Sequence, residues 1–524
     1  MAIMVVHFLV LQFLMISLVR AEVRFYDFVV REKNFTRLCE TKSVLLVNDI
    51  FPGPEIRVHN GDTVYVNVHN QGYYGLTIHW HGIMQLRSPW SDGPEYITQC
   101  PIQPGTNFTY DVLLSTEEGT VWWHAHSDWT RASVHGAIVI LPTVGSTYPF
   151  PQPDKDEVII LSSWYLGDLK ARVDEAMEEG TSLHHSDAYT INGQPGDLCP
   201  CSKFAQHNLI VVGLDGSYTK PIYTPYILIS PGQTMDVLLK ADQALGFYYM
   251  AGRHFSSDNA KVTEFDHVNV TAILEYNGNY TYSASPRFPQ TLPIMFITAS
   301  MNSLYCEDSG FLSCTEIPVA SSVNNISWVN PRSTDLLQAY YRNISGIYST
   351  DFPDQPPTYY NFTEATYSKD TMLTVQGTKV KVLSYNESVE IVFQGTDVQG
   401  GSVNHPLHMH GYKFSVVGYG FGNYDNETDP EGFNLVDPPH VTTFGVPKNG
   451  WLAIKFVANN PGTRMYVELG LQWSTQVMIC PTLSCPSQCK CPQTIRTITL
   501  RPCLVHGMKR VAPIRRRLLI ADEI

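Results

Sequence analysis

The stretch PGTNFTYDVLLSTEEGTVWWHAH, residues 104–126, decides the fold of this 524-residue chain. It contains two runs rich in β-branched and aromatic residues, FTYDVLL and TVWWHA, separated by the short polar connection STEEG. Short runs of this composition, bounded by Gly, Pro, Asn or Asp, are typical of β-strands. The stretch therefore predicts two strands joined by a short connection.

The same pattern occurs twice more along the chain. PGQTMDVLL begins at Pro231 and leads to GFYYMAGR at Gly246, while PKNGWLAIKF begins at Pro447 and leads to the looser copy NPGTRMYVELGL at Asn460. The repeat predicts three β domains, each with a related two-strand hairpin near its end. We place them at residues 22–145, 155–300 and 320–462, with a divergent and irregular tail over residues 463–524.

Other segments support an all-β class. Runs such as TVYVNVHN after Asp62 and EIVFQ after Val389 have the same character, and only residues 168–179 predict a helix. Hydrophobic residues make up 44% of the chain and charged residues 16%, which is enough apolar material for large cores. The predicted fold class is therefore all-β, with three Greek-key β-sandwich or barrel domains.

The charge balance excludes one class of partner and sets the tail apart. A net charge of -14 argues against a nucleic-acid partner, because phosphate binding needs clustered Lys and Arg. From Cys480 to Ile524 the balance reverses to 8 basic against 2 acidic residues, and 5 of the 11 cysteines lie there. Their spacing fits no standard zinc-ligand pattern. A translated out-of-frame stretch explains this composition better than a basic targeting patch does.

Two features predict secretion. Residues 1–21 form the apolar run of a cleaved signal peptide, and the run is short for the alternative, a membrane anchor. Nine Asn-X-Ser/Thr glycosylation triplets begin at Asn34, Asn107, Asn269, Asn279, Asn325, Asn343, Asn361, Asn386 and Asn426. We expect a secreted glycoprotein without a membrane partner. Disulfides are then permitted, and Cys39, Cys100, Cys199, Cys201, Cys306 and Cys314 are available for them, with the connectivity open.

The chemistry of the chain is carried by paired histidines. In a strand, residues i and i+2 point to the same face, so each His-X-His motif projects two imidazoles into one space. A lone histidine is more often structural, but three such motifs favour a metal centre. The all-nitrogen donor set suits copper, zinc, iron or nickel better than calcium or magnesium. The candidate ligands are His79, His81, His124, His126, His408, His410 and the nearby His405.

Several longer strings resemble one known family. HWHGI, WSDGPEYITQCPI, GTVWWHAHSDWTRASVHGAIVI, NHPLHMHGYKFSVVGYGFGNY and FNLVDPP are similar to those of plant laccases, the secreted multicopper oxidases built of three cupredoxin domains. Ascorbate oxidases share the histidine pairs but match the other strings less well. The resemblance covers nearly all of residues 21–462. It implies three cupredoxin-like domains, four coppers, a monomer in the extracellular space or apoplast, and one-electron oxidation of small phenols, including lignin precursors, with reduction of dioxygen to water.

The resemblance also implies residue roles. His79 and His408 match ligands of the type 2 copper, and His405 matches a ligand of the type 1 copper that takes electrons from the substrate. Asp92 matches a catalytic carboxylate that helps deliver protons, although an Asp before Gly93 is also typical of a turn cap. Cys100 matches a cysteine that bridges to the C-terminus of the family. The ligands of the type 3 pair are matched by His81, His124, His126 and His410.

The chain departs from the family in two places. The family has a His-Cys-His triplet in domain 3, but the offsets that lead from Gly119 to the domain 1 pair lead from Gly462 to Val467, Glu468 and Leu469. After Cys201 the family has additional strands that are missing here, so domain 2 is predicted to be incomplete. Two hypotheses follow. The chain is a laccase, or it is a non-catalytic cupredoxin-like glycoprotein that binds at most the type 2 copper and part of the type 3 pair. The missing thiolate favours the second hypothesis for the chain as written.

Overall fold

The computed structural model describes residues 21–179, 186–195, 207–245, 247–253, 269–276, 301–304, 319–364, 373–398, 404–468, 475–480 and 517–520. The predicted signal peptide and the predicted deletion after Cys201 lie outside these residues. The described part is mostly strand, as predicted. Its α-helices are Leu169–Glu179, which confirms the predicted helix, and the short Leu336–Tyr341. None of its helices is long and apolar enough to cross a membrane.

The strands are numbered in chain order. Domain 1 contains β1 (Val23–Arg37), β2 (Glu40–Val47), β3 (Ile56–His59), β4 (Thr63–Asn70), β5 (Ile78–His81), β6 (Asn107–Leu113), β7 (Gly119–Ala125) and β8 (His135–Leu141). Domain 2 contains β9 (Val158–Trp164), β10 (Ala188–Ile191), β11 (Leu209–Leu214), β12 (Ser217–Thr224), β13 (Thr234–Leu239), β14 (Phe247–Arg253) and β15 (Asn269–Glu275). Domain 3 and the tail contain β16 (Met301–Leu304), β17 (Val319–Ser321), β18 (Ile326–Trp328), β19 (Leu373–Gly377), β20 (Val380–Val382), β21 (Ser388–Gln394), β22 (His405–Met409), β23 (Phe414–Phe421), β24 (His440–Val441), β25 (Thr443–Val446), β26 (Gly450–Val457), β27 (Gly462–Glu468), β28 (Thr475–Cys480) and β29 (Arg517–Ile520).

Domains 1 and 3 are each built around two packed sheets. In domain 1 the sheets have the orders β2-β1-β4-β6 and β3-β8-β7-β5, and their apolar faces bury Phe28, Trp80, Tyr110 and Trp123. In domain 3 the orders are β20-β28-β27-β22-β25 and β21-β26-β23-β24. Each repeated stretch forms two successive strands: β6 and β7, β13 and β14, and β26 and β27. The predicted hairpin is wrong, because the two strands of each copy lie in different sheets and do not pair with each other. The domain boundaries themselves remain predictions.

The tail is more regular than the sequence suggested. We expected an irregular segment from residue 463, but β27 pairs with β22 and β28, and β29 lies between β9 and β13 in the domain 2 sheet. Strand pairing uses backbone groups, so it does not require the side chains of a laccase. The remaining tail residues lie outside those described.

The cysteines divide into two kinds. Cys100 is disulfide-bonded. Cys39, which we had grouped with the bridging candidates, is a free and exposed thiol. The expectation for Cys39 was wrong because sequence spacing carries no information on distance in the fold.

Asn460 joins domains 1 and 3 directly. Its buried side-chain amide donates to the carbonyl oxygens of Met84 at 2.7 Å and Gly411 at 2.8 Å. Its carbonyl oxygen accepts from the backbone N–H of Arg87 at 2.9 Å. One side chain therefore satisfies backbone groups of both domains, beside the interface where the histidine pairs meet.

Replacing Asn460 by alanine tests this contact. Asn460→Ala leaves buried backbone groups unpaired, at a cost of about 1–3 kcal/mol for each group, so we expect the free energy of unfolding to fall by at least about 2 kcal/mol in urea titrations. Asn459→Ala is the matched control, because Asn459 is exposed. Equal stabilities of the two variants would contradict the interface role of Asn460.

Candidate metal centre

The three histidine pairs lie on strands that face one another across the interface of domains 1 and 3. His79 and His81 are on β5, and His124 is on β7 with His126 one residue beyond its end. The two strands pair so that His79 stands opposite His124. From domain 3, His408 lies on β22 and His410 follows its last residue. The strand placement predicted from the His-X-His spacing is therefore observed.

The six rings share one pocket, in which all are buried except the partly exposed His126. The ring centroids are 3.9 Å apart for His79 and His410, 3.6 Å for His81 and His408, and 5.1 Å for His126 and His410. Two groups have ring nitrogens that all lie within 4.8 Å of one another: His79, His408 and His410, and His79, His81 and His124. Both groups include His79. This spacing matches what a metal ion needs from several imidazoles.

Burial keeps these imidazoles neutral. Desolvation lowers the pKa of His126 to about 4 and that of His408 to about 3. The pKa values of His79, His81 and His124 are lowered well below 6.5, first by burial and then by the neighbouring histidines. A neutral imidazole has a free lone pair, which is the form that binds metal ions.

Backbone carbonyls fix which nitrogen of three rings carries the proton. The Nδ1–H group donates to the Asp92 carbonyl oxygen in His79 at 2.7 Å, to the Thr442 carbonyl oxygen in His408 at 2.9 Å, and to the Ala125 carbonyl oxygen in His124 at 2.9 Å. Each ring is thereby left with its Nε2 lone pair. The Nε2 atoms of His79 and His408 face each other at 3.4 Å.

In His81 the other ring nitrogen, Nε2, contacts a protein group. Its Nε2 lies 2.9 Å from the Thr443 hydroxyl, and its buried Nδ1 has no hydrogen-bond partner among the described residues. The same is true of Nε2 of His124. Buried nitrogens without partners are costly unless something binds them, and nitrogen donors suit copper. The residues present therefore fit a copper centre.

Asp92 lies beside the histidines with its side chain fully buried. Its carboxylate oxygens are 3.5 Å from Nδ1 of His79 and 3.4 Å from Nδ1 of His410. Its backbone N–H closes the short 3-10 turn Pro89–Ser91, but its carboxylate oxygens accept no hydrogen bond from the described residues. The turn-cap interpretation therefore accounts for the backbone of Asp92 and not for its carboxylate. Burial raises the pKa of Asp92 to about 6, and the charge of Arg464 opposes this rise.

Arg464 is a site residue that the sequence reasoning missed. By the repeat it occupies on β27 the position that the core residue Val121 occupies on β7. Its guanidinium is almost fully buried, with Nη1 3.6 Å from the Asp92 carboxylate and Nη2 donating to the Gln85 carbonyl oxygen at 2.9 Å. The available signal was an arginine at a strand position that is apolar in the first copy of the repeat.

His405 does not join the six histidines. It lies three residues before His408 on β22, so strand alternation puts it on the opposite sheet face. It is fully buried and belongs to neither close group of ring nitrogens in the described part of the chain.

The strand register places Val467 where domain 1 has a histidine. On the backbone of β22 and β27, His408 stands opposite Val467, just as His79 stands opposite His124 in domain 1. The register thus gives the same correspondence as the sequence repeat. Leu469 lies outside the described residues.

Comparison with known proteins assigns the family. The chain matches the family model described as multicopper oxidase over residues 29–144, 200–279 and 351–467. It therefore belongs to the multicopper oxidase family, which makes it a copper oxidoreductase by class. The last match ends at Val467, the residue at which the histidine pattern departs.

The sequence relatives are plant proteins named as laccases. The chain is 44% identical to Laccase-14 of Arabidopsis thaliana, covering 85% of this chain and 88% of the relative. It is 43% identical to Putative laccase-9 of Oryza sativa subsp. japonica, covering 84% and 88%. The resemblance to plant laccases is confirmed.

Solved structures share the fold. The laccase from Botrytis aclada has a TM-score of 0.62 at 23% identity and covers 88% of each chain. Fet3p, a multicopper oxidase that functions in iron import, has a TM-score of 0.65 at 19% identity and covers 87% of this chain and 90% of its own. At these identities the likeness establishes the fold, and it confirms the three-domain cupredoxin-like architecture.

The buried neutral histidines predict how the copper-free protein responds to acid. Because their folded pKa values are lowered, the unfolded chain binds more protons below pH 6.5, and stability falls as the pH drops from about 6.5 toward 4. Each histidine contributes up to about 1.4 kcal/mol per pH unit. Urea titrations from pH 7 to 4.5 should give a shallower slope for His126→Gln than for the unsubstituted protein. Equal slopes would contradict a buried neutral His126.

The Arg464 and Asp92 pair predicts coupled stabilities. Removing one member of a buried charge pair costs about 3–5 kcal/mol, so Arg464→Met should lower the free energy of unfolding by about 3 kcal/mol at pH 8. In an Asp92→Asn background the loss should be smaller by about 1 kcal/mol or more. Arg87→Met is the control, because Arg87 is exposed and its effect should add to that of Asp92→Asn. Additive effects of Arg464→Met and Asp92→Asn would show that the two groups do not interact.

Proposed function

We propose that this chain is a secreted laccase-type oxidase that binds copper between domains 1 and 3 and couples one-electron oxidation of small phenols to reduction of dioxygen to water. The observation that carries the proposal is the pocket of six imidazoles, five of which are buried and have ring nitrogens in two close groups. The relatives named as laccases support the reaction class. Copper bound there would supply the one-electron steps that dioxygen reduction requires.

The residue roles follow the resemblance and are compatible with the geometry. We assign His79 and His408, whose Nε2 atoms face each other, to a type 2 copper. His81, His124, His126 and His410 would hold a type 3 pair, which completes a trinuclear cluster. His405, on the other face of β22, matches a ligand of the type 1 copper in the resembled family.

The chain's own groups then have three tasks. The backbone carbonyls of Asp92, Thr442 and Ala125 orient the imidazoles by accepting their Nδ1 protons. The buried interface excludes bulk water from the pocket. Asp92, with a pKa near 6 and a position beside His79 and His410, can hold a proton at its carboxylate near neutral pH and release it toward the pocket.

Electron entry is the step at which this chain differs from the resembled family. Residue 468 stands opposite Leu407 in the backbone register, and it is Glu where the family has the type 1 cysteine. A blue copper site requires a thiolate. We therefore propose fewer coppers than the four implied by resemblance, with no type 1 copper, so that copper held by the pocket histidines would itself have to accept the electron from the phenol. The non-catalytic hypothesis gains no support from the relatives, which are named as laccases.

Secretion is part of the proposal. Glycosylation requires exposed asparagines, and Asn34, Asn107, Asn343, Asn361, Asn386 and Asn426 are all exposed. The proposed location is the extracellular space or apoplast, with the protein acting as a monomer on a small phenol and dioxygen.

Copper loading and oxygen uptake test the function. We expect the purified chain to bind copper and to show oxygen uptake that depends on an added methoxyphenol, and His79→Ala/His408→Ala should abolish both. His69→Ala, at a partly exposed position of β4, should abolish neither. Copper binding without phenol-dependent uptake would replace the oxidase proposal with the non-catalytic one.

The missing thiolate gives a separate optical prediction. The copper-loaded chain should lack the intense copper-thiolate absorption near about 600 nm, and Glu468→Cys should introduce thiolate absorption that Glu468→Ser does not. A blue preparation of the unsubstituted chain would refute the proposed absence of a type 1 copper.

A further inference from the structure

We propose that domain 2, which supplies none of the seven candidate histidine ligands, positions two of them: Asp215 and Gln233 fix the backbone of Thr442 and Thr443, and the Thr443 hydroxyl orients the imidazoles of His81 and His408. This inference rests on the proposed copper site for its function. Its geometric basis is independent of any bound metal. Asp215, Gln233 and Thr443 are therefore positioning residues.

The domain 2 side of this connection is a tight hairpin. Asp215 and Gly216 join β11 to β12 with φ values of 46° and 66°, the left-handed backbone of a two-residue type I′ turn. The turn contacts both other domains. The Gly216 carbonyl oxygen accepts from the Glu118 N–H of domain 1 at 3.0 Å and from the Lys413 ammonium of domain 3 at 2.8 Å. The tip of the hairpin is thereby anchored where the three domains meet.

Asp215 accepts hydrogen bonds from both neighbouring domain 3 residues. One carboxylate oxygen accepts from the backbone N–H groups of Thr442 and Thr443, each at 3.0 Å, and the other accepts from the Thr234 N–H at 2.9 Å. The carboxylate is 3% exposed, so water cannot replace these donors. Its charge is offset by the nearby ammonium of Lys413.

Gln233 holds the other backbone polar group of Thr443. Its side-chain amide donates to the Thr443 carbonyl oxygen at 3.1 Å, while its own carbonyl oxygen accepts from the Ser230 N–H at 2.9 Å. Both backbone polar groups of Thr443 are therefore held by domain 2 side chains. This leaves the Thr443 side chain, which is fully buried, in a fixed orientation.

The Thr443 hydroxyl lies between one histidine of each ligand-bearing domain. Its oxygen is 2.9 Å from Nε2 of His81 and 3.0 Å from Nδ1 of His408. The proton of His408 is on Nδ1, because that atom also contacts the Thr442 carbonyl oxygen, which can only accept. The hydroxyl oxygen therefore acts as an acceptor toward His408.

The same oxygen selects the tautomer of His81. A neutral imidazole carries one proton. We assign the proton of His81 to Nε2, which donates it to the Thr443 oxygen and leaves the Nδ1 lone pair for a metal; a hydroxyl that donated to Nε2 would instead leave an Nδ1–H group without an acceptor among the described residues. Thr443 thus makes His81 present Nδ1 while His408 presents Nε2.

Three substitutions of buried threonines test the role of the hydroxyl. Thr443→Val removes it with little change of shape, and we expect the Cu²⁺ affinity of the apoprotein, measured by competition with a chelator, to fall about 10–100-fold. Thr443→Ser should restore the affinity to near that of the unsubstituted protein. Thr463→Val is the matched control, because Thr463 is also buried and its hydroxyl has no hydrogen-bond partner in the described part of the chain. Unchanged affinity in Thr443→Val would overturn the inference.

The domain 2 residues have their own comparison. Asp215→Asn replaces one acceptor oxygen by a donor, so it should lower the Cu²⁺ affinity in the same direction although Asp215 contacts none of the histidines. Asp242→Asn, at an exposed domain 2 site, should leave the affinity unchanged. Equal Cu²⁺ affinities of Asp215→Asn and Asp242→Asn would contradict the positioning role of domain 2.

Histidine nitrogen NMR of the copper-free protein separates this inference from the proposed function. In the unsubstituted chain we expect His81 protonated on Nε2 and His408 on Nδ1, with the His81 signal altered in Thr443→Val and retained in Thr443→Ser. Failure of the unsubstituted chain to bind Cu²⁺ would refute the copper function alone, whereas a His81 protonated on Nδ1 would refute the positioning role of Thr443 whether or not copper binds.

Discussion

The dominant constraint in this molecule is the grouping of six neutral imidazoles, five of them buried, in one pocket between two domains. The buried rings have lost their water, and several of their ring nitrogens have no protein partner in the described structure. Such a pocket is costly to form unless another group binds its nitrogen lone pairs, because unsatisfied buried polar groups destabilise a fold. Domain association and ligand chemistry are therefore linked: the surface that joins domain 1 to domain 3 is also the surface that carries the donor atoms.

Much of this arrangement could be predicted from sequence because it depends on local periodicity. The His-X-His spacing fixes side-chain direction on a strand, so the pairs on β5, β7 and β22 follow from the pattern once the strands are recognised. The internal repeat predicted two successive strands in each domain, although not that they belong to different sheets, and the register of Val467 opposite His408 agrees with the offset counted along the chain. Residues that act through long-range contacts were not predictable in this way. Thr443, Asp215 and Arg464 have ordinary local sequence surroundings, and their roles depend on which domains meet.

Arg464 shows how a change of one strand residue alters the electrostatics of the pocket. In β7, the domain 1 copy of this strand, the position is occupied by the buried Val121, which carries no charge. Arginine at the same place brings a permanent cation within 3.6 Å of Asp92, opposes the rise in pKa that burial imposes on that carboxyl, and is itself tied to domain 1 through Gln85. A buried cation and a buried carboxylate each tolerate the interior better in the presence of the other. Asp92 of domain 1 therefore supplies a partner for the arginine that stands at an apolar position of the repeat.

The backbone of domain 3 explains why a changed ligand pattern is compatible with an intact fold. Strand β22 carries His405 on one face and His408 on the other, so it separates His405 from the histidine pocket. Strand β27 still pairs with β22 in the register that β7 has with β5, although its residues are Val467 and Glu468 where the family pattern has histidine and cysteine. Pairing is maintained by backbone hydrogen bonds, whereas metal chemistry depends on the side chains. The scaffold and the chemistry can thus diverge independently, and domain 2, through Asp215 and Thr443, continues to orient the histidines that remain.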